Sequence, residues 1–414
     1  MRRMALGTVA ALAVAMLAAG SGSGAERREA GEAVREDVLF LRTSDGVALV
    51  QSETDGSAVS VPDAVPAIDW SALVRAIPTD QETRVEALDP ESGDLLWGRE
   101  VAGTLEVKVA SAGADMVALG DPQEGAGYAF GRTSTTLVIL DEGVPEPRTI
   151  QLEGNYAPEA FSTDGASLFV VEYLPPERPT SYRVRRLDLA TEQVVGVYTV
   201  DQELQDSMQG TARIQAASPD GRRLYTLYSQ EIAGGTHTFV HVLSLDELWA
   251  HCIDLPASFQ AFDERGVAIS VSPDGSRLYV ADATTGTVAE ADTETLAVTR
   301  TAEIPFWSQG GIAHAAASPG GLLYLAKGNG VLEVDTEALS PGRSWELAGR
   351  ISGLQTSNDG ERVFVGLRDE IVILDPTSGD EEAVLDPTGI DAIRQLGTST
   401  RSLEEERTTT ECAC

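Results

Sequence analysis

The chain has 414 residues, 42% of them hydrophobic, which is enough for a large core that one fold could use almost whole. It carries 65 acidic against 30 basic residues, a net charge of −35. So acidic a surface argues against nucleic acid and anionic membranes as partners; it keeps an exported protein soluble, or offers an acidic face to cations or basic partners.

The N-terminus, MRRMALGTVAALAVAMLAAGSGSGA, has two arginines, an apolar run from Met4 to Ala19, and then small residues. That is the layout of a secretory signal, with cleavage expected after Ala25, and the run is short for a membrane span. Leu17 to Ser21 also has the form of a bacterial lipobox, but Ser21 stands where the lipid-bearing cysteine would be. A released protein without a lipid anchor is expected, with residues 26–36 as a polar linker.

Strands begin at Asp37. The segment 37–61 holds three, and seven fuller units follow at about 66–104, 105–154, 155–203, 210–257, 265–304, 311–349 and 350–386. Most carry one phrase, clearest in Ser272-Pro273-Asp274-Gly275. Proline presets φ, aspartate suits the third turn position, and glycine tolerates the left-handed fourth, so the phrase joins two antiparallel strands. Its serine recurs at Ser111, Ser162, Ser218, Ser272, Ser318 and Ser357, in steps of 51, 56, 54, 46 and 39 residues. A second turn opens at Asp89, Asp141, Asp188, Asp246, Asp292, Asp335 and Asp375. The strand after Gly275 is apolar on both parities, as a sheet covered on both faces requires. Four-stranded units of this length, repeated, predict an all-β fold, a single β-propeller spanning 37–397. The last strand, 390–397, would complete the three at 37–61 as a composite blade. Eight blades is the count; seven is the alternative, because 37–61 lacks the Asp turn. Residues 398–414, with Cys412 and Cys414, read as a disordered tail.

The phrases SPDGRRLYTL, SPDGSRLYVADATTGTV and SNDGERVFVGLRDEIVILDPTSG resemble the YVTN-type β-propeller repeats of bacterial surface and periplasmic proteins. Ala87 to Trp97, ALDPESGDLLW, is similar to the tryptophan-docking repeat of quinoprotein dehydrogenases, with serine for the usual threonine. The resemblance implies a quinoprotein-like propeller scaffold over about 37–397, with Trp97 packed between blades. It does not carry over a cofactor, since neither a Cys-x-x-Cys-His haem site nor a vicinal cysteine pair is present.

Chemistry is sparse. His237 and His241 share a strand face about 13 Å apart, too far for one metal ion. His251 and Cys252 are strand neighbours and face opposite ways. The turn aspartates are spread one per unit and are explained by turn chemistry. No nucleophile elbow, zincin helix, P-loop or dinucleotide fingerprint occurs. What stands out is polar residues on strands that should line the central channel: His314, Arg213, Glu159, Lys108 and Gln355, together with Gln215 and Arg394. These are the candidate ligand-binding residues, with no catalytic residue, metal or cofactor assigned. The expected function is an exported, monomeric, non-catalytic scaffold binding a protein, peptide or small polar ligand. The alternative is a propeller enzyme of lactonase or quinoprotein-dehydrogenase type, which would need His314, Arg213 and Glu159 to converge.

Overall fold

The computed structural model describes residues 35–400, apart from 44–45, 53–57, 91, 123–130, 205–206, 262, 306–309 and 388–389. The expected signal segment, the tail cysteines and the side chain of Arg394 lie outside the described residues. Arg35 to Ser399 forms one compact unit.

Eight sheets make eight blades in a ring. Blade 1 is composite: Arg35–Thr43, Gly46–Gln51 and Ala58–Pro62 come from the start of the chain, and Ile390–Thr400 enters as its innermost strand. Blades 2 to 8 follow in chain order. Their innermost strands are Val65–Pro66, Glu106–Ala110, Asn155–Phe161, Thr211–Ala217, Val267–Val271, His314–Ser318 and Gly353–Thr356. The count of eight and the closure by both ends hold. One boundary moves: blade 4 ends at Gly196, and Tyr198–Thr199 crosses to blade 5, where it adds a fifth strand parallel to Trp249–Ala250.

Both faces of each sheet are apolar because each is covered by its neighbours. Eight apolar clusters fill the eight inter-blade interfaces. The one that seals the ring joins Phe364 and Ile373 of blade 8 to Leu39, Leu41 and Ile393 of blade 1. Leu39, Leu41 and Phe364 lose all solvent contact there, each burial contributing on the order of 2 kcal/mol.

The repeated turn is a hydrogen-bond relay. The serine hydroxyl accepts from the backbone N–H five residues on, at 2.9 Å in Ser162, Ser218, Ser272 and Ser357. The same hydroxyl donates to the aspartate two residues on, at 2.5–2.6 Å. The closing glycine stands at positive φ, +74° at Gly275, and its N–H returns to the serine carbonyl at 2.8 Å. The second turn works alike: Asp89, Asp188 and Asp292 accept from the N–H three residues on at 2.7–2.8 Å. The aspartate oxygens are therefore spent on turn amides.

Two inter-blade devices join the apolar clusters. Trp97 donates through Nε1 to the Ala114 carbonyl of the next blade at 3.1 Å, and Trp345 lies against Gly379 of blade 8. In addition, arginines on outer strands reach carbonyls of the following blade: Arg99 to Glu142 at 2.9 Å, Arg148 to Leu189, Arg300 to Thr336 and Arg343 to Pro376, both at 2.6 Å.

Candidate functional site

Three of the sequence-expected residues sit at irregularities of the innermost strands. The register with the second strand shifts between Val107 and Val109, between Pro158 and Ala160, and between Ala212 and Ile214. Lys108, Glu159 and Arg213 are therefore bulge residues in three consecutive blades. A bulge leaves one residue out of the ladder and re-aims its side chain. The innermost strands of blades 6, 7 and 8 keep an unbroken register.

The five residues line three cavities. His314 and Gln355 line the central channel, a space of about 470 Å³ that also takes in Gln215, Ser270, Asn358 and Ile393 of the closing strand. Glu159 and Arg213 line a side cavity of about 550 Å³ between blades 4 and 5. Lys108 lines a third, of about 150 Å³, between blades 3 and 4, with Asp121 and Arg132. Its ammonium pairs with Glu106. Gln215 and Ile214 belong to both the channel and the side cavity, so the two adjoin.

In the side cavity Gln215 Nε2 donates to Glu159 Oε1 at 2.9 Å and to Thr226 Oγ1 at 3.0 Å. Burial raises the Glu159 carboxyl above its usual range, and the bond from Gln215 offsets part of that rise. Arg213 Nε donates to Ser229 Oγ at 2.5 Å, and its charge reaches Asp263. Glu264 lies at the rim.

Sequence reasoning missed the aromatic wall of this cavity. Tyr173, Tyr182 and Tyr228 line it. The rings form a row: Tyr173 meets Tyr182 tilted, at 6.4 Å between centroids, and Tyr182 stacks on Tyr228 at 5.4 Å and Tyr228 on Phe239 at 5.5 Å. The signal for it lay in the repeat spacing. The two longest steps, 56 and 54 residues, follow Ser162 and Ser218. They correspond to second strands of 8 and 10 residues in blades 4 and 5, against 6, 6 and 4 in blades 6 to 8. The extra length carries Tyr173, the seventh residue of its strand, while Tyr228 stands at the sixth position, which the six-residue strands also have.

The remaining histidines stand apart from the cavities. His237 pairs with Asp254 at 3.0 Å on an exposed outer edge. His241 is buried, and burial with the nearby His251 lowers its pKa to about 4, so its imidazole is neutral at pH 7. Cys252 is exposed on the outer strand Trp249–Asp254.

No family model matches the chain, and no curated protein matches it. Among solved structures it is similar to apo AztD from Citrobacter koseri, at 12% identity and a TM-score of 0.53 over 89% of this chain and 100% of that one. It also matches a functionally unknown protein from Desulfotomaculum acetoxidans, at 12% identity and 0.40 over 80% and 99%. A third match is the β-propeller domain of Cps50 (Swd1) from Myceliophteria thermophila, at 15% and 0.35 over 68% and 84%. At such identity the likeness to AztD is one of fold alone.

Proposed function

We propose that this chain is an exported, non-catalytic binding propeller whose ligand is a small polar molecule held in the channel and its side cavity. The YVTN-like repeats belong to this reading as scaffold. One observation carries it: Gln215 joins two roomy cavities and holds the carboxylate of Glu159 by a hydrogen bond. Concave spaces of several hundred Å³ with a few convergent polar groups are the usual form of a small-ligand site. The enzyme alternative is less well supported, because none of the three cavities is lined by His314, Arg213 and Glu159 together.

Native mass spectrometry of the exported protein tests this, followed by calorimetry with any small molecule found. His314→Ala should weaken binding by roughly 1–3 kcal/mol, the loss expected when a hydrogen bond to a charged or buried group is removed, and Arg213→Ala should do the same for a molecule that presents an anionic group to it. Both should fold, since neither belongs to a turn relay or an inter-blade apolar cluster. If both variants lose the fold while affinity for the bound molecule stays unchanged in milder substitutions, the residues are structural and function lies on the outer loops.

A further inference from the structure

We propose that the side cavity between blades 4 and 5 binds a small organic ammonium ion, with Glu159 as its anionic partner and the Tyr173 ring as its apolar wall. This rests on the binding reading above and adds the charge and class of the ligand.

The balance of charge and of hydrogen-bonding groups favours a cation. Two carboxylates, Glu159 and Glu264, line the space against one guanidinium. That guanidinium already donates through Nε to Ser229 Oγ. The cavity therefore keeps a half-buried carboxylate whose one hydrogen-bond partner among the described residues is the neutral amide of Gln215. A half-buried carboxylate with so little compensation is unfavourable, and a cation beside it would relieve that cost. The phenol oxygens of Tyr173 and Tyr228 add groups that can accept from an ammonium.

The wall is also built for it. Tyr228 is sandwiched between Tyr182 and Phe239, which fixes the stack. Tyr173 ends the row, half-buried, with one ring neighbour among the described residues, so it has a face to offer. An aromatic face beside a carboxylate is favourable for an alkylammonium. Glu159 lines the same cavity as both rings, and burial, and then the charge of Glu159, raises the phenol pKa of Tyr173 and Tyr228. At −35, the whole chain also draws cations towards it.

Calorimetry on the full chain tests the assignment with two matched sets of probes at millimolar concentration. One is choline against the neutral alcohol in which carbon replaces its quaternary nitrogen. The other is n-butylammonium against n-butanol and n-butyrate. At least one ammonium should bind about ten-fold tighter than its neutral counterpart, a difference of about 1.4 kcal/mol. Glu159→Gln is near-isosteric and keeps an oxygen for Gln215. It should fold with an unchanged or higher Tm and abolish the preference. Tyr173→Leu should weaken the ammonium several-fold, and Tyr173→Phe should not. The proposal is overturned if neither ammonium binds, if neutral or anionic probes bind as well, or if Glu159→Gln keeps the preference. A win for n-butyrate that is lost in Arg213→Ala would sink the cation and leave the binding propeller standing. If no probe binds and native mass spectrometry finds no bound molecule, both readings fail.

Discussion

Replacing Gly379 with alanine tests whether tryptophan docking holds neighbouring blades together. Gly379 closes the Asp375 turn of blade 8 at a φ of +78°. A Cβ there would stand 1.7 Å from Trp345 Nε1 and 2.2 Å from its Cδ1. The indole belongs to blade 7 and packs with Tyr324 at 6.0 Å. The left-handed backbone alone costs about 1–2 kcal/mol for a residue with a Cβ. Driving a half-buried indole off its seat adds roughly 1–2 kcal/mol of lost apolar burial. Gly275→Ala is the control: its φ is +74°, but its Cβ would find only the Pro219 ring, at an ordinary 3.8 Å. Equilibrium urea unfolding, followed by circular dichroism, should therefore give a loss of about 2–4 kcal/mol for Gly379→Ala. It should give about 1–2 kcal/mol for Gly275→Ala. In a Trp345→Ala background the Gly379 penalty should fall to that of the control, a coupling measurable by a double-mutant cycle. Equal penalties for the two glycines, or no coupling, would refute the docking argument.

Other expectations can be checked directly. Turn hydrogen bonds hold Asp164, Asp188, Asp274 and Asp375 below the usual carboxylate range, and the Thr295 N–H, first among several donors, holds Asp292 at about 2. Their folded pKa lies below the unfolded value of about 4, so their stabilisation is present above pH 4 and is lost as pH falls towards 2. A urea midpoint that stays flat between those limits would contradict this. Deleting Ile390–Thr400 should expose the blade 8 side of the seam and lower the Tm; an unchanged cooperative melt would show that the strand does not close the ring. If the chain is exported as proposed, the mature protein should begin near Glu26 without lipid, and an intact mass carrying a diacylglycerol increment would overturn that.

The ring was legible in the sequence because its turns use side chains that few other structures need. Ser272, Asp274 and Gly275 each have one job that their chemistry announces. The composite blade was legible because the three strands before Val61 lacked a fourth and the strand from Ile390 had no partner nearby in the chain. The site was legible only in part. Periodicity placed Glu159, Arg213 and Lys108 on innermost strands, but it assumes an unbroken ladder. A bulge adds one residue and turns the side chain, and nothing in Ala212-Arg213-Ile214 marks where that happens. The tyrosine stack depends on rings from two blades meeting, Tyr182 from one and Tyr228 from the other. The arginine clamps were hidden because their acceptors are backbone carbonyls, which every sequence has.

The composite blade also orders events in time. Blades 2 to 8 each assemble from contiguous chain, so their contacts can form as soon as each segment is available. The first blade cannot: its inner strand starts roughly 350 residues after the strand it pairs with, and closing so long a loop costs about 5 kcal/mol of chain entropy. Until Ile390–Thr400 arrives, Arg35–Thr43 is an open sheet edge, the kind that pairs with foreign strands. The seam is therefore the last part to form and the first to give way. A chain that stops short of it keeps seven well-formed blades and still presents the sticky edge of an unfinished molecule.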